Sequence, residues 1–295
     1  MINNPIFLVG CMRSGTTLLA DLLGSHPNII HCPFELKHVW SRAGKVPMAS
    51  PKTLDRICPQ LNESDVKPGQ KQKLVRAFHR EMIKNKGKKH IPHSVFLNKN
   101  PHLCNKLPFV QTLFPNARFI WIYRDLPSVT ASLKKLLKHH NLVHYWPYKS
   151  NEETIRCFNL FHRTLPKNID RSRCFPGGDA KYLAEYWYEN NKAVSDFSKT
   201  VPPGQIFIIK EEELIHNPEK VLTECLDFLK LPGIIPYHLI TNIQPGRNNL
   251  WHTRLSKREL ESIMNFIMEN EKKLNNLFPG QEISLHYKEQ ISSFL

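Results

Sequence analysis

The chain has 295 residues, and its 41 Lys and Arg against 26 Asp and Glu give a formal net charge of +15 before 15 His are counted. Hydrophobic residues at 41% and charged residues at 23% exclude intrinsic disorder and a fibrous repeat. The charge predicts a polyanionic partner (nucleic acid, a membrane surface, or a phosphorylated or sulfated small molecule) without choosing among them.

The chain opens with Ile6-Phe7-Leu8-Val9, a short apolar run ending in Gly10 that suits a buried parallel strand. After the polar turn Cys11–Gly15, Leu18, Leu19, Leu22 and Leu23 recur at helical spacing, and Gly24 and Pro27 stop the helix. Residues 28–32 read as a second short strand. From Lys37 to His93 the pattern turns irregular and basic, which predicts an insertion or lid with one helix over Gln70–Lys84, built on Leu74, Phe78 and Met82. Val95-Phe96-Leu97 and Phe119–Tyr123 are further strands. Pro127 opens a helix carrying Val129, Leu133, Leu136 and Leu137. Residues 140–178 are mixed and Pro/Gly-punctuated, with no strand predicted. Asp179 caps a helix with Leu183, Trp187, Val194 and Phe197, Ile206–Ile209 form a strand, and Asn217-Pro218 starts a helix closed by Pro232-Gly233. Ser256-Lys257-Arg258-Glu259 is a capping box. Strands alternating with helices predict one α/β domain over residues 1–295, with a mostly parallel P-loop-type sheet, helices on both faces and a basic helical insertion at 37–93.

Gly10-Cys11-Met12-Arg13-Ser14-Gly15-Thr16-Thr17 lies between a strand and a helix, where a glycine loop cradles phosphate on converging N–H groups and a helix N-terminus. Gly10, Gly15 and Thr17 keep the spacing of GxxxxGK[ST], but Thr16 occupies the lysine position and the cation is Arg13. Losing that lysine removes a principal clamp on a nucleotide triphosphate, whereas arginine suits a compact oxyanion. Arg124 follows the strongest strand, with Ser132 eight residues on. Ligands of open α/β sheets bind at the carboxyl ends of strands, so Arg124 and the loop share one sheet edge. From the residues alone, a P-loop kinase or NTPase with a degenerate loop and a basic polyanion-binding module remain alternatives.

These motifs resemble those of sulfotransferases that use 3′-phosphoadenosine 5′-phosphosulfate (PAPS), especially the branch of tyrosylprotein and many bacterial enzymes. The loop with Ser14-Gly15-Thr16-Thr17 resembles that family's 5′-phosphosulfate loop, and Tyr123-Arg124-Asp125-Leu126-Pro127 with Ser132 its 3′-phosphate segment. His26-Pro27 before Glu35, Lys99-Asn100-Pro101, Phe114–Ala117, Ala184–Trp187, Lys210–Pro218, and Gly246-Arg247 with Trp251 resemble further family segments in order. Glu211 stands where many members carry a tyrosine near the adenine.

The resemblance implies PAPS as sulfuryl donor, 3′,5′-bisphosphoadenosine (PAP) as product, and no metal. It places Cys11 to Thr17, Arg124, Ser132, Gly246 and Arg247 on the donor, and Arg13 and Lys99 on the sulfuryl and leaving oxygens. Glu35 is the candidate base; His31, His38 and His102 are its rivals. The acceptor is expected to be a hydroxyl or amine of a small molecule, carbohydrate or peptide, with no specific nucleic acid and no membrane span. Seven scattered cysteines without CxxC read as reduced core thiols, which predicts a soluble, cytoplasmic protein, although a lumenal fragment stripped of its anchor would read the same. The acceptor and the oligomeric state are not encoded in any readable motif.

Overall fold

The apolar runs that flank Gly10, Asn28, Ser94 and Phe119 become strands, as a computed structural model shows for residues 2, 4–48, 60–87, 94–149, 155–161, 165, 167–243, 245, 250–278 and 281–295. The described strands are β1 (Ile6–Val9), β2 (Ile29–His31), β3 (Val95–Lys99), β4 (Arg118–Tyr123), β5 (Leu142–Lys149), β6 (Ile155–Phe161), β7 (Cys174–Phe175) and β8 (Ile206–Lys210). The described helices are α1 (Thr16–Gly24), α2 (Lys37–Arg42), α3 (Gln70–Lys86), α4 (Leu107–Leu113), α5 (Leu126–His139), α6 (Lys181–Ser198), α7 (Glu211–His216), α8 (Pro218–Leu229), α9 (Tyr237–Ile240), α10 (Trp251–Arg254), α11 (Lys257–Glu269), α12 (Glu271–Asn275) and α13 (Ile283–Ser292). Among these helices none is long and apolar enough to cross a membrane.

The chain divides into two compact units. The first comprises Met1–Met48, Leu61–Arg124 and Phe197–Pro245. It contains a five-stranded sheet of order β2-β3-β1-β4-β8 in which every pair is parallel. Strand alternation gives the sheet two different faces. On one, Ile6, Leu8, Leu97, Ile120, Ile122 and Ile209 pack with Leu19, Leu22 and Leu23 of α1 and Leu222, Cys225 and Leu226 of α8. On the other, an aromatic cluster forms: the Phe7 ring lies 6.0 Å from Trp40 and 5.5 Å from Phe114, and Phe78 lies 5.3 Å from Trp40 and 4.8 Å from Phe96. Thus α2 and α3, from the basic insertion, cover the aromatic face. The expected α/β architecture with helices on both faces is therefore present.

The His26-Pro27 segment has a structural task. His26 is buried; its Nδ1 accepts the Asn28 N–H at 3.0 Å, which leaves Nε2–H to donate to the Pro232 carbonyl at 3.0 Å. One imidazole thus ties the turn before β2 to the chain after α8.

The second unit contains Asp125–Asp196 and the described residues from Leu250 on. Its helices start as the sequence predicts: Asp125 accepts the Ser128 N–H at 2.8 Å, and Ser256 and Glu259 form a reciprocal capping box. Residues 140–178 depart from expectation, because β5, β6 and β7 form an antiparallel sheet of order β6-β5-β7. Pro147 obscures the pattern; it falls where the β5–β6 register shifts between Tyr145 and Tyr148, an irregularity that tolerates proline. Trp251 is buried in α10 with its ring 4.9 Å from that of Phe294.

Candidate active site

In the first unit β1 is flanked by β3 on one side and β4 on the other, so strand order reverses beside it. That is the position where open α/β sheets bind ligands, beyond the carboxyl ends of the strands. The predicted residues gather there: the loop 10–17 after β1, Glu35 after β2, Lys99 at the end of β3 and Arg124 after β4.

The loop depends on its glycines. A Cβ at Gly10 would lie 2.1 Å from the Ile122 carbonyl oxygen, and one at Gly15 (φ +82°) would lie 2.7 Å from Glu211 Cγ. Only glycine lets the backbone lie this close to β4 and to Glu211. Cys11 is buried and its carbonyl accepts the Ser14 N–H at 3.2 Å, while Met12 is half-buried. Thr16, buried, opens α1, and Thr17 is exposed. The Ser14 hydroxyl is fully buried with no hydrogen-bond partner among the described residues. A buried orphan hydroxyl inside a glycine loop at a helix N-terminus fits an incoming oxyanion.

Two guanidinium groups share this loop. Arg124 donates from Nη1 to the Arg13 carbonyl at 3.3 Å, and its Nε lies 3.4 Å from Glu211 Oε2. Glu211, at the start of α7, is only 4% exposed and is the acidic partner of Arg124. Arg13 reaches solvent, yet the surrounding atoms strip enough water from it to lower its pKa, and Arg124 adds to the effect. Its backbone is left-handed at φ 73°. The Glu211 carboxylate thus meets Arg124, Arg13 brings a second guanidinium to the loop, and the net positive charge suits a doubly oxygenated anion. The sequence did not assign Glu211 this place; the signal was its position at the end of β8, two strands from β1.

Across β1, Lys99 pairs in register with Leu8, close to where the loop begins. Lys99 is buried and its Nζ lies 2.7 Å from Glu35 Oε1, while Lys37 Nζ lies 3.5 Å from Glu35 Oε2. Burial by itself pushes the Glu35 carboxyl up; Lys37, the Lys99 hydrogen bond and charge, and His102 outweigh it and hold Glu35 below the usual carboxylate range. The backbone of this turn is unusual, with Phe34, Glu35 and Leu36 left-handed at φ 60°, 54° and 51°. Each such residue costs about 1–2 kcal/mol.

The rival bases divide. His31 packs its ring against Gly24, lies 3.8 Å from Asp21 and is lowered in pKa chiefly by burial; His38 is 3.6 Å from Glu81; His102 stands close enough to Glu35 to act on its charge. Ser132 lies half-buried on α5, in the second unit. Gly246 and Arg247 fall outside the described residues. Among the described residues, no three His, Cys, Asp or Glu side chains converge on a metal position.

Residues 5–235 match the family model of the Sulfotransferase family. Protein-tyrosine sulfotransferase 1 of Danio rerio is 25% identical over 236 residues, which cover 77% of this chain and 53% of that protein. Protein-tyrosine sulfotransferase 1 of Homo sapiens is 33% identical over 129 residues, covering 41% of this chain and 31% of that protein. The chain therefore spans about half or less of these curated relatives. A sulfotransferase from Alicyclobacillus acidocaldarius shares the fold with a TM-score of 0.54 at 15% identity, over 94% of this chain and 96% of that one.

Proposed function

The chain belongs to the sulfotransferase family, and on that premise we propose that it moves a sulfuryl group from PAPS to a hydroxyl or amine, with Glu35 as base. The observation that supports this reading best is the Lys99–Glu35 contact of 2.7 Å at the end of β3, next to the β1 strand that leads into the arginine-bearing glycine loop.

In the proposed reaction the S–O bond to the donor phosphate breaks as a bond from sulfur to the acceptor atom forms. The acceptor proton passes to the Glu35 carboxylate, and PAP leaves. Cys11 to Thr17 hold the phosphosulfate, with Arg13 neutralising charge that spreads over sulfuryl and bridging oxygens. Arg124, Ser132, Gly246 and Arg247 take the 3′-phosphate. Lys99 serves both ends of the transfer: protonation of Glu35 weakens their ion pair and frees ammonium charge for the departing phosphate oxygen. No metal is needed in this scheme, since the protein supplies the countercharge.

A tyrosyl peptide is the first acceptor to try, because relatives over much of the chain are protein-tyrosine sulfotransferases. Small molecules and carbohydrates are the next. Cys32, Cys174 and Cys225 are buried thiols, in keeping with the proposed cytoplasmic location.

Calorimetry and mass spectrometry test the proposal together. PAP should bind, labelled PAPS should yield a sulfated acceptor, and Arg13→Ala should cut transfer about 100- to 1,000-fold. A chain that ignores PAP and binds Mg²⁺–ATP would instead be the nucleotide-triphosphate enzyme.

A further inference from the structure

The left-handed turn Phe34–Leu36 is held from the aromatic face of the sheet. Asn98 Nδ2 donates to the Glu35 carbonyl at 3.3 Å and Asn100 Nδ2 donates to the same oxygen at 3.1 Å. Both asparagines are fully buried. Their other ends are committed: Asn98 Oδ1 accepts the Trp40 indole N–H at 2.9 Å, and Asn100 Oδ1 accepts the His102 backbone N–H at 3.0 Å. Each amide is therefore fixed with its N–H₂ toward Glu35. Between them in sequence, Lys99 projects to the opposite side of the strand and takes the carboxylate.

We propose that Asn98 and Asn100 are positioning residues that clamp the Glu35 main chain in its left-handed turn and so deliver its carboxylate to Lys99. This deepens the reading of Glu35 as base and rests on it. Two buried amides converging on one carbonyl are an expensive way to pack a core, since apolar side chains would fill the space without polar atoms to satisfy. Three consecutive left-handed residues persist only where their surroundings over-determine them. Here the surroundings are the two amides, and what they fix is the residue whose carboxylate meets the lysine. The charged and titratable groups facing that carboxylate are Lys37, Lys99 and His102.

The test uses Asn98→Leu combined with Trp40→Phe, which removes both members of the inner hydrogen bond and leaves an apolar core able to fold. Asn100→Ala is the second variant. In protein labelled with ¹³C at the Glu side-chain carboxyls, with Glu35→Gln to assign the signal, the native Glu35 should titrate below the ordinary value of about 4.3, and both variants should move it upward. With PAPS and a tyrosine-containing peptide, transfer should fall about 10- to 100-fold, as expected for a misplaced reacting group. Affinity for PAP should stay within about twofold, because the glycine loop is untouched. An unchanged Glu35 titration in the folded double variant overturns the clamp, whatever the enzyme does. A displaced titration with undiminished transfer leaves the clamp standing and overturns Glu35 as base.

Discussion

Glu35 meets Lys99 at 2.7 Å on the rim of the sheet, and in the proposed reaction Glu35 is the group that takes the acceptor's proton. With its pKa held below the usual range, Glu35 is ionised throughout the neutral region. The sign follows: a carboxyl with a depressed folded-state pKa contributes stability above its unfolded value and loses it as pH falls through the folded value. The rate with a saturating acceptor should therefore stay level through neutral pH and fall only below the ordinary carboxylate value of about 4.3. An imidazole base would instead lose activity at a higher pH than a carboxylate does. A pH–rate profile separates the two without any mutation. At this scale the sequence exposed Arg13, Glu35, Lys99 and Arg124, because each sits in a local motif. The contacts of Glu211, Asn98 and Asn100 were not legible, since their partners arrive from other strands and no local spacing announces a contact made across a sheet.

Elements were legible where one local rule governed them. The parallel strands announce themselves as unbroken apolar runs, α1 as a leucine stripe between glycines, and α11 as a capping box. The antiparallel sheet was not, because Pro147 breaks the alternation of β5 and one of its two partners, β7, is only two residues long. The three glutamates that open α7 fell in a segment with no predicted element, between the Ile206–Ile209 strand and the Asn217-Pro218 helix, although Glu211 is buried. The turn 34–36 is the hardest case, since Phe, Glu and Leu carry no signal for left-handed backbone. Phe34 permits a direct measurement of its strain: the ring is 85% exposed, so removing it sacrifices little packing. Relief of the left-handed penalty, about 1–2 kcal/mol, outweighs the extra freedom of an unfolded glycine, about 0.5–1 kcal/mol. Phe34→Gly should stabilise the protein by roughly 0.5–1 kcal/mol in urea unfolding. A loss of stability would mean that the ring is packed and the turn is not strained at that residue.

On the scale of the whole molecule, the excess of 41 basic over 26 acidic side chains exceeds what a bisphosphate donor requires. Part of it is organised. Helix α3 buries Leu74, Ala77, Phe78 and Met82 and exposes Lys73, Arg76, Arg80 and Lys84. These four cations follow one another at three- and four-residue steps, so they line one face of the helix. Glu81, the acidic residue of α3, is engaged with Lys84 and His38 and does little to neutralise the others. A cationic face rising from the packed aromatic side of the sheet attracts polyanions at low salt and is screened beyond about 8 Å at physiological ionic strength. Replacing Lys73, Arg76 and Arg80 with Gln should leave unfolding stability within about 0.5 kcal/mol, as for surface positions generally. The triple variant should leave a heparin column at distinctly lower salt than the native chain, while PAP affinity stays the same because Arg13 and Arg124 are untouched. Equal elution would place the polyanion affinity elsewhere on the surface and leave α3 a solvated face.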